Sequence, residues 1–191
     1  LKGCPLRCRW CHNPEGLSVK PQLMIKENLC VHCMRCRRPC EHEECKPFDR
    51  CIHACANGCI SVSGKVISDD ELANKINSNA EVLNAMGGGV TFSGGDPLLQ
   101  ADFVCSAAEK LRDIHKAIQT SGYADFETYK RVISKMDYVM QDIKLADNDE
   151  HIRFTGVSNK KIIENIEWLK NSGIRFVLRV PLIPDITDTD E

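Results

Sequence analysis

From Asp69 to Val180, apolar residues recur at helical spacing and then in short continuous runs, and this alternation repeats. The spacing predicts a helix from Ser68 or Asp69, where Ser68-Asp69-Asp70-Glu71 supplies a cap and early acids, to the triple glycine Gly87-Gly88-Gly89. Val90-Thr91-Phe92 then reads as a buried strand. A second helix is expected over 99–113, with Phe103, Val104, Ala107, Ala108 and Leu111 on one face, followed by a strand at 116–119. A helix at 126–136, a strand at 138–145, helical turns at 149–154 and 159–171, and a strand at 174–180 complete the series. Strands alternating with helices predict an α/β fold with a parallel sheet. A closed barrel needs more strands than these four, so the chain is read as a fragment lacking one strand before Leu1 and others after Glu191. Exposed sheet edges are expected to make it poorly soluble alone.

Before Asp69 the pattern is different. Residues 1–29 read as loop-rich, 30–62 as a cysteine-rich segment with little apolar periodicity, and 63–191 as the βα region. Of the 12 cysteines, eleven fall between Cys4 and Cys59, and Cys105 sits alone on an apolar helix face as a small core residue. Short repeated spacings favour metal ligation over disulfides. A net charge of -2 argues against a nucleic-acid partner. No apolar run reaches the ~18 residues of a membrane span and no signal peptide is visible, so the expected location is cytoplasmic.

Cys4-Pro-Leu-Arg-Cys8-Arg-Trp-Cys11 offers three thiolates from one tight loop. A four-iron cube held by three cysteines keeps one iron open for a substrate's amino and carboxylate groups. A zinc knuckle would need a fourth ligand in register, and the nearest candidate, His12, is adjacent to Cys11. The whole stretch from Leu1 to Gly16, LKGCPLRCRWCHNPEG, resembles the radical S-adenosylmethionine (SAM) activating enzymes of glycyl radical enzymes. Thr155-Gly-Val-Ser-Asn159 and Arg179-Val-Pro-Leu-Ile-Pro-Asp185 resemble later segments of that family. The resemblance implies a partial (β/α)6 radical SAM barrel and makes Trp10 and His12 candidate SAM contacts. Ser93-Gly94-Gly95-Asp96-Pro97 resembles the family's Gly-Gly-Glu-Pro element at the methionine amino group, with Asp96 one methylene shorter than the family's acid. Thr120-Ser121-Gly122 resembles a turn facing the ligand, which adds Ser121.

Cys30-x2-Cys33-x2-Cys36-x3-Cys40 matches the bacterial ferredoxin run, whose fourth cysteine serves the other cluster. Cys45, Cys51, Cys55 and Cys59 follow at looser spacing. The crossed pattern assigns Cys30, Cys33, Cys36 and Cys59 to one four-iron cluster and Cys40, Cys45, Cys51 and Cys55 to a second. Zinc is the alternative for the second half, given its irregular spacing and nearby His42 and His53.

On the strand at 138–145, Asp142 and Lys144 share one face about 6.6 Å apart. Burying both without partners is costly, so they should pair or bracket a zwitterion, as the family's Asp-x-Lys element does with SAM. Arg179, ending the last strand, could steady a carboxylate or lie exposed. The resulting expectation is an activase with a SAM-binding cluster and two auxiliary clusters. Its cleavage of SAM makes a 5'-deoxyadenosyl radical that abstracts hydrogen from a glycine of a partner glycyl radical enzyme, with a flavodoxin- or ferredoxin-type electron donor. Another radical SAM reaction on a peptide or small molecule, or a ferredoxin-like electron-transfer module, is the rival reading.

Overall fold

A computed structural model describes residues 1–188. The chain forms two compact units, one from Lys20 to Val66 and the other from residues 1–19 together with the chain from Ile67 onward. The smaller unit is wider on both sides than the expected 30–62. The added β1 (Gln22–Ile25) pairs antiparallel, as a hairpin, with β2 (Ile60–Ser63), Gln22 lying opposite Ser63 and Ile25 opposite Ile60. Between them the chain makes short 3-10 turns joined by loops.

The larger unit holds a parallel sheet of β3 (Gly89–Phe92), β4 (His115–Thr120), β5 (Tyr138–Asp142) and β6 (Arg175–Arg179), in that order. Strands in sequential order joined through helices are what the βα pattern requires. The helix expected to run to the triple glycine is two, α1 (Asp69–Asn77) and α2 (Ala80–Ala85). Ser78 Oγ and Asn79 Nδ2 both donate to Lys75 O, which draws the chain off the helical path. The next expected helix opens as a 3-10 turn, Pro97–Gln100, and becomes α3 at Ala101–Lys110.

The remaining helices are α4 (Phe126–Ile133), α5 (Asn148–Thr155) and α6 (Lys160–Asn171). Three starts carry side-chain caps. Ser68 Oγ accepts from Glu71 N at 3.1 Å, Asp125 from Thr128 N at 3.0 Å, and Asp147 from the amides of Asp149 and Glu150 at 2.9 and 2.8 Å. The core lies between the sheet and these helices, where Val104, Ala107, Ile118, Tyr129, Val132, Ile133, Val139 and Leu169 are fully buried. Each large aliphatic side chain buried there contributes roughly 1.5–3 kcal/mol, so the strand ends stand on a rigid base. Cys105 is buried in this core, as its helix face implies.

Candidate functional site

The loop from Leu1 to Gly16 is clamped on two sides. On one side Gly95 N donates to Leu1 O at 2.9 Å, Asp96 N to Gly3 O at 2.7 Å, and Gln100 Nε2 to Lys2 O at 2.6 Å. On the other, Arg7 N donates to Thr155 O at 2.7 Å and Arg9 N to Phe154 O at 3.0 Å. The loop also closes on itself, Gly3 N reaching Gly16 O at 2.7 Å and Cys11 N reaching Cys8 O at 3.0 Å. Leu6, in its middle, is 1% exposed and anchors the turn. Phe154 is flanked by Trp10, with ring centroids 5.9 Å apart, and by the guanidinium groups of Arg9 and Arg153.

Gly94 and Gly95 therefore have a structural cause besides any close approach to a ligand. A Cβ on Gly95 would lie 2.3 Å from Gly3 O and 2.4 Å from Gly16 O, and one on Gly94 would lie 1.9 Å from Leu1 O. Bare backbone at the end of β3 lets the cysteine loop sit directly on it.

Cys4, Cys8 and Cys11 line one cavity of about 360 Å³ with Trp10, His12, Gly94, Gly95, Asp96, Ser121, Asp142 and Lys144. Every residue expected from the sequence at the SAM site is thus on its wall. Gln119 and Thr120 join them from β4. The alternation of β4 could have indicated Gln119, which shares a strand face with the buried Ala117.

Asp96 is 1% exposed, and its carboxylate is fully engaged by the protein. Leu98 N and Thr120 Oγ1 donate to Oδ1 at 3.1 and 2.8 Å, while Ser121 N and Ser121 Oγ donate to Oδ2 at 2.9 and 2.5 Å. Burial pushes its pKa up, and the four donors pull against that. The geometry makes Asp96 a strut between the ends of β3 and β4, holding Ser121 at the wall. Gln141 continues the network, donating to Ser121 O at 2.8 Å and accepting from Tyr129 Oη at 2.9 Å. Asn165 donates to Gly122 O and Ala124 O.

Asp142 and Lys144 form an ion pair of 2.9 Å, with side chains 13% and 19% exposed. Arg179, directly opposite Asp142 across β5 and β6, donates Nε to its Oδ1 at 2.9 Å. Of the two alternatives for Arg179, the carboxylate partner is the one observed. One carboxylate between two cations leaves net positive charge at the cavity wall, beside the thiols. Lys144 is close enough to Cys8 to favour its thiolate.

The residues fit a cluster with one open iron. Burial pushes the Cys4 thiol up to about 11 and raises Cys8, and ionisation of Cys8 or Cys11 raises Cys4 further. Three half-buried thiols on one loop, whose anions repel one another, become thiolates together when metal displaces their protons. A cavity with polar and charged walls adjoins them, with room for a zwitterion.

The radical SAM superfamily model matches residues 1–191. The chain is 38% identical to a 4-hydroxyphenylacetate decarboxylase activating enzyme of Clostridium scatologenes, over 99% of this chain and 68% of that one. It is 37% identical to a trans-4-hydroxy-L-proline dehydratase activating enzyme of Clostridioides difficile, over 100% and 69%. This chain belongs to the radical SAM superfamily, among the activating enzymes of glycyl radical enzymes.

A domain of a pyruvate-formate lyase-activating enzyme from Bacteroides vulgatus superposes with a TM-score of 0.50 at 32% identity, covering 55% of this chain and 66% of the other. As in the radical SAM superfamily generally, a four-iron cluster and SAM are the cofactors implied. Among the described residues no helix is long and apolar enough to cross a membrane.

In the smaller unit the eight remaining cysteines fall into two groups. Cys30, Cys33, Cys36, Cys55 and Cys59 line one cavity of about 630 Å³, and Cys55 Sγ lies 3.0 Å from Cys59 Sγ. Cys40, Cys45 and Cys51 gather separately with His42. Cys55 therefore stands with the first group, where the crossed ferredoxin pattern places it with the second. The cause is local: Gly58 N donates to Cys55 O at 3.1 Å, a turn that folds Cys55 and Cys59 onto each other.

Proposed function

We propose that this chain is the catalytic part of an activase that cleaves SAM and installs a radical on a glycine of a partner glycyl radical enzyme. The observation that carries the reading is the convergence of Cys4, Cys8 and Cys11 with Asp142, Lys144 and the β3 and β4 ends on one cavity. When bound, the cluster supplies one electron to the sulfonium, giving methionine and a 5'-deoxyadenosyl radical that takes a hydrogen atom from the glycine.

The chain's own residues do the positioning. Cys4, Cys8 and Cys11 would hold the cluster and leave one iron open to the amino and carboxylate groups of SAM. Backbone at Ser93–Gly95 lines the approach, and Asp96 fixes it by tying Ser121 and Thr120 to the same strut. Lys144 and Arg179 around Asp142 present charge to a zwitterion. Trp10, packed on Phe154, and His12 close the cavity on the loop side.

In the smaller unit, Cys30, Cys33, Cys36 and Cys59 are assigned an auxiliary four-iron cluster, with Cys55 beside Cys59. Its role is to pass electrons from a flavodoxin- or ferredoxin-type donor, or to form a docking surface for the partner. Anaerobic incubation of the full-length protein with reductant, SAM and candidate glycyl radical enzymes tests the reading. A glycyl radical doublet by electron spin resonance, absent when Cys4, Cys8 and Cys11 are replaced by alanine, is the expected result. SAM cleavage without any partner radical would redirect the assignment to another radical SAM reaction.

A further inference from the structure

In the smaller unit, the ligand atoms of Cys40, His42, Cys45 and Cys51 all lie within 4.8 Å of one another. Cys40 Sγ is 3.0 Å from His42 Nδ1. Cys45 and Cys51 are buried, and Ile52 N donates to Cys45 Sγ at 3.4 Å. The 3-10 turn at Glu43–Phe48 builds the group: Cys45 N donates to His42 O at 3.0 Å, bringing the cysteine back under the histidine.

Metal–sulfur bonds of about 2.3 Å and metal–nitrogen bonds of about 2.0–2.1 Å, at tetrahedral angles, place the donors of a single-ion site roughly 3.4–3.8 Å apart. The four donors here all lie within 4.8 Å of one another, whereas a four-iron cube spreads its thiolates over separate corners. The fourth cysteine that a second cube would take, Cys55, lies instead against Cys59.

We propose that Cys40, His42, Cys45 and Cys51 form a mononuclear, closed Cys3His zinc site in place of a second auxiliary iron–sulfur cluster. Binding displaces three thiol protons, and three thiolates with a neutral imidazole around Zn²⁺ leave a net charge of about -1. Arg35 and Arg38 line the cavity beside it and balance that charge. The ion does no redox work. It staples a cysteine-rich segment that has short 3-10 turns and few large buried side chains to hold it. The inference is independent of SAM cleavage at Cys4, Cys8 and Cys11.

The test is metal analysis of the full chain reconstituted anaerobically with iron and sulfide in the presence of zinc. About one zinc and about eight irons per chain are expected, with zinc-edge X-ray absorption showing about three sulfurs and one nitrogen. His42→Ala should lose the zinc and keep the iron, and Cys55→Ser should keep the zinc. Cobalt substitution of the unmutated protein provides a second readout, since tetrahedral Co²⁺ with thiolate ligands has intense visible bands. A zinc-free chain with about twelve irons, losing about four in Cys55→Ser and none in His42→Ala, overturns the proposal in favour of a second cube. Replacing Cys4, Cys8 and Cys11 by alanine removes about four irons and SAM binding while sparing the zinc, so the two assignments fail separately.

Discussion

Asp96 shows how one carboxylate can serve a site by holding it together. Its two oxygens accept four hydrogen bonds from Leu98, Thr120 and Ser121, all in a nearly closed environment. In Asp96→Asn one oxygen becomes an NH2 group facing those donors, and a buried amide N–H or hydroxyl loses its acceptor. The cost should be about 1–3 kcal/mol, read as a lower thermal midpoint under anaerobic conditions, with SAM affinity falling as Ser121 leaves the wall. An unchanged midpoint would show that the strut is dispensable. Asp142 makes a different prediction. It separates Lys144 from Arg179, so Asp142→Asn leaves two cations facing each other with nothing between them. SAM binding by equilibrium dialysis should weaken at least about tenfold, about 1.4 kcal/mol, while iron content is retained because the cluster ligands are untouched. The sequence revealed Asp142 and Lys144 because two charges in a mostly apolar stretch demand partners, although β5 ends at Asp142 and Lys144 lies just beyond it. It left Arg179 undecided because a strand-end arginine satisfies either an exposed or a paired setting, and the Asp142–Arg179 register depends on the pairing of β5 with β6.

At the scale of elements, the glycines at the end of β3 matter for packing one element on another. Gly95→Ala would drive a Cβ into the carbonyls of Gly3 and Gly16, which are backbone and cannot swing aside. The cysteine loop should lift, with iron content falling by about four per chain and the SAM-induced change in the cluster spectrum disappearing, while far-ultraviolet circular dichroism stays near the unmutated protein's. Gly173→Ala is the control: its φ of +78° carries strain, yet no atom lies within 4 Å of the added Cβ, so SAM binding should persist. The sheet and its helices were legible because their apolar periodicity extends over whole elements, and the cap at Ser68 marks the first helix start. The hairpin of β1 with β2 was not. Gln22–Ile25 is short and mostly exposed, and its register comes from Ile60–Ser63, far along the chain. The break between α1 and α2 was equally hidden, since Asn77, Ser78 and Asn79 are tolerated in a helix until their side chains find backbone partners such as Lys75 O and Lys110 O. Gln141 on β5 is polar yet fully buried. Its meaning emerges only when Tyr129 and Ser121 are brought to it.

At the scale of the whole molecule, the division into two units separates two kinds of stability. The larger unit rests on buried aliphatic and aromatic side chains, whereas in the smaller one the buried apolar side chains are Cys45, Cys51 and Cys59. A segment built this way folds with its metals, because binding free energy is folding free energy where no packed core exists. The hairpin closes it, Ser63 standing opposite Gln22, so the chain leaves the unit close to where it entered. Excision between Lys20 and Val66 with a short Gly-Ser bridge should therefore leave the larger unit intact. The shortened protein should retain about four irons, bind SAM and cleave it with a small-molecule reductant, because the residues that line that cavity all lie within the larger unit. If the smaller unit relays electrons or engages the partner, radical installation with a protein donor should fall far more than cleavage does. Loss of SAM cleavage with the small-molecule reductant would instead show that the smaller unit is needed to shape the site itself. Comparing the two activities in one preparation thus separates a relay or docking role from a structural one.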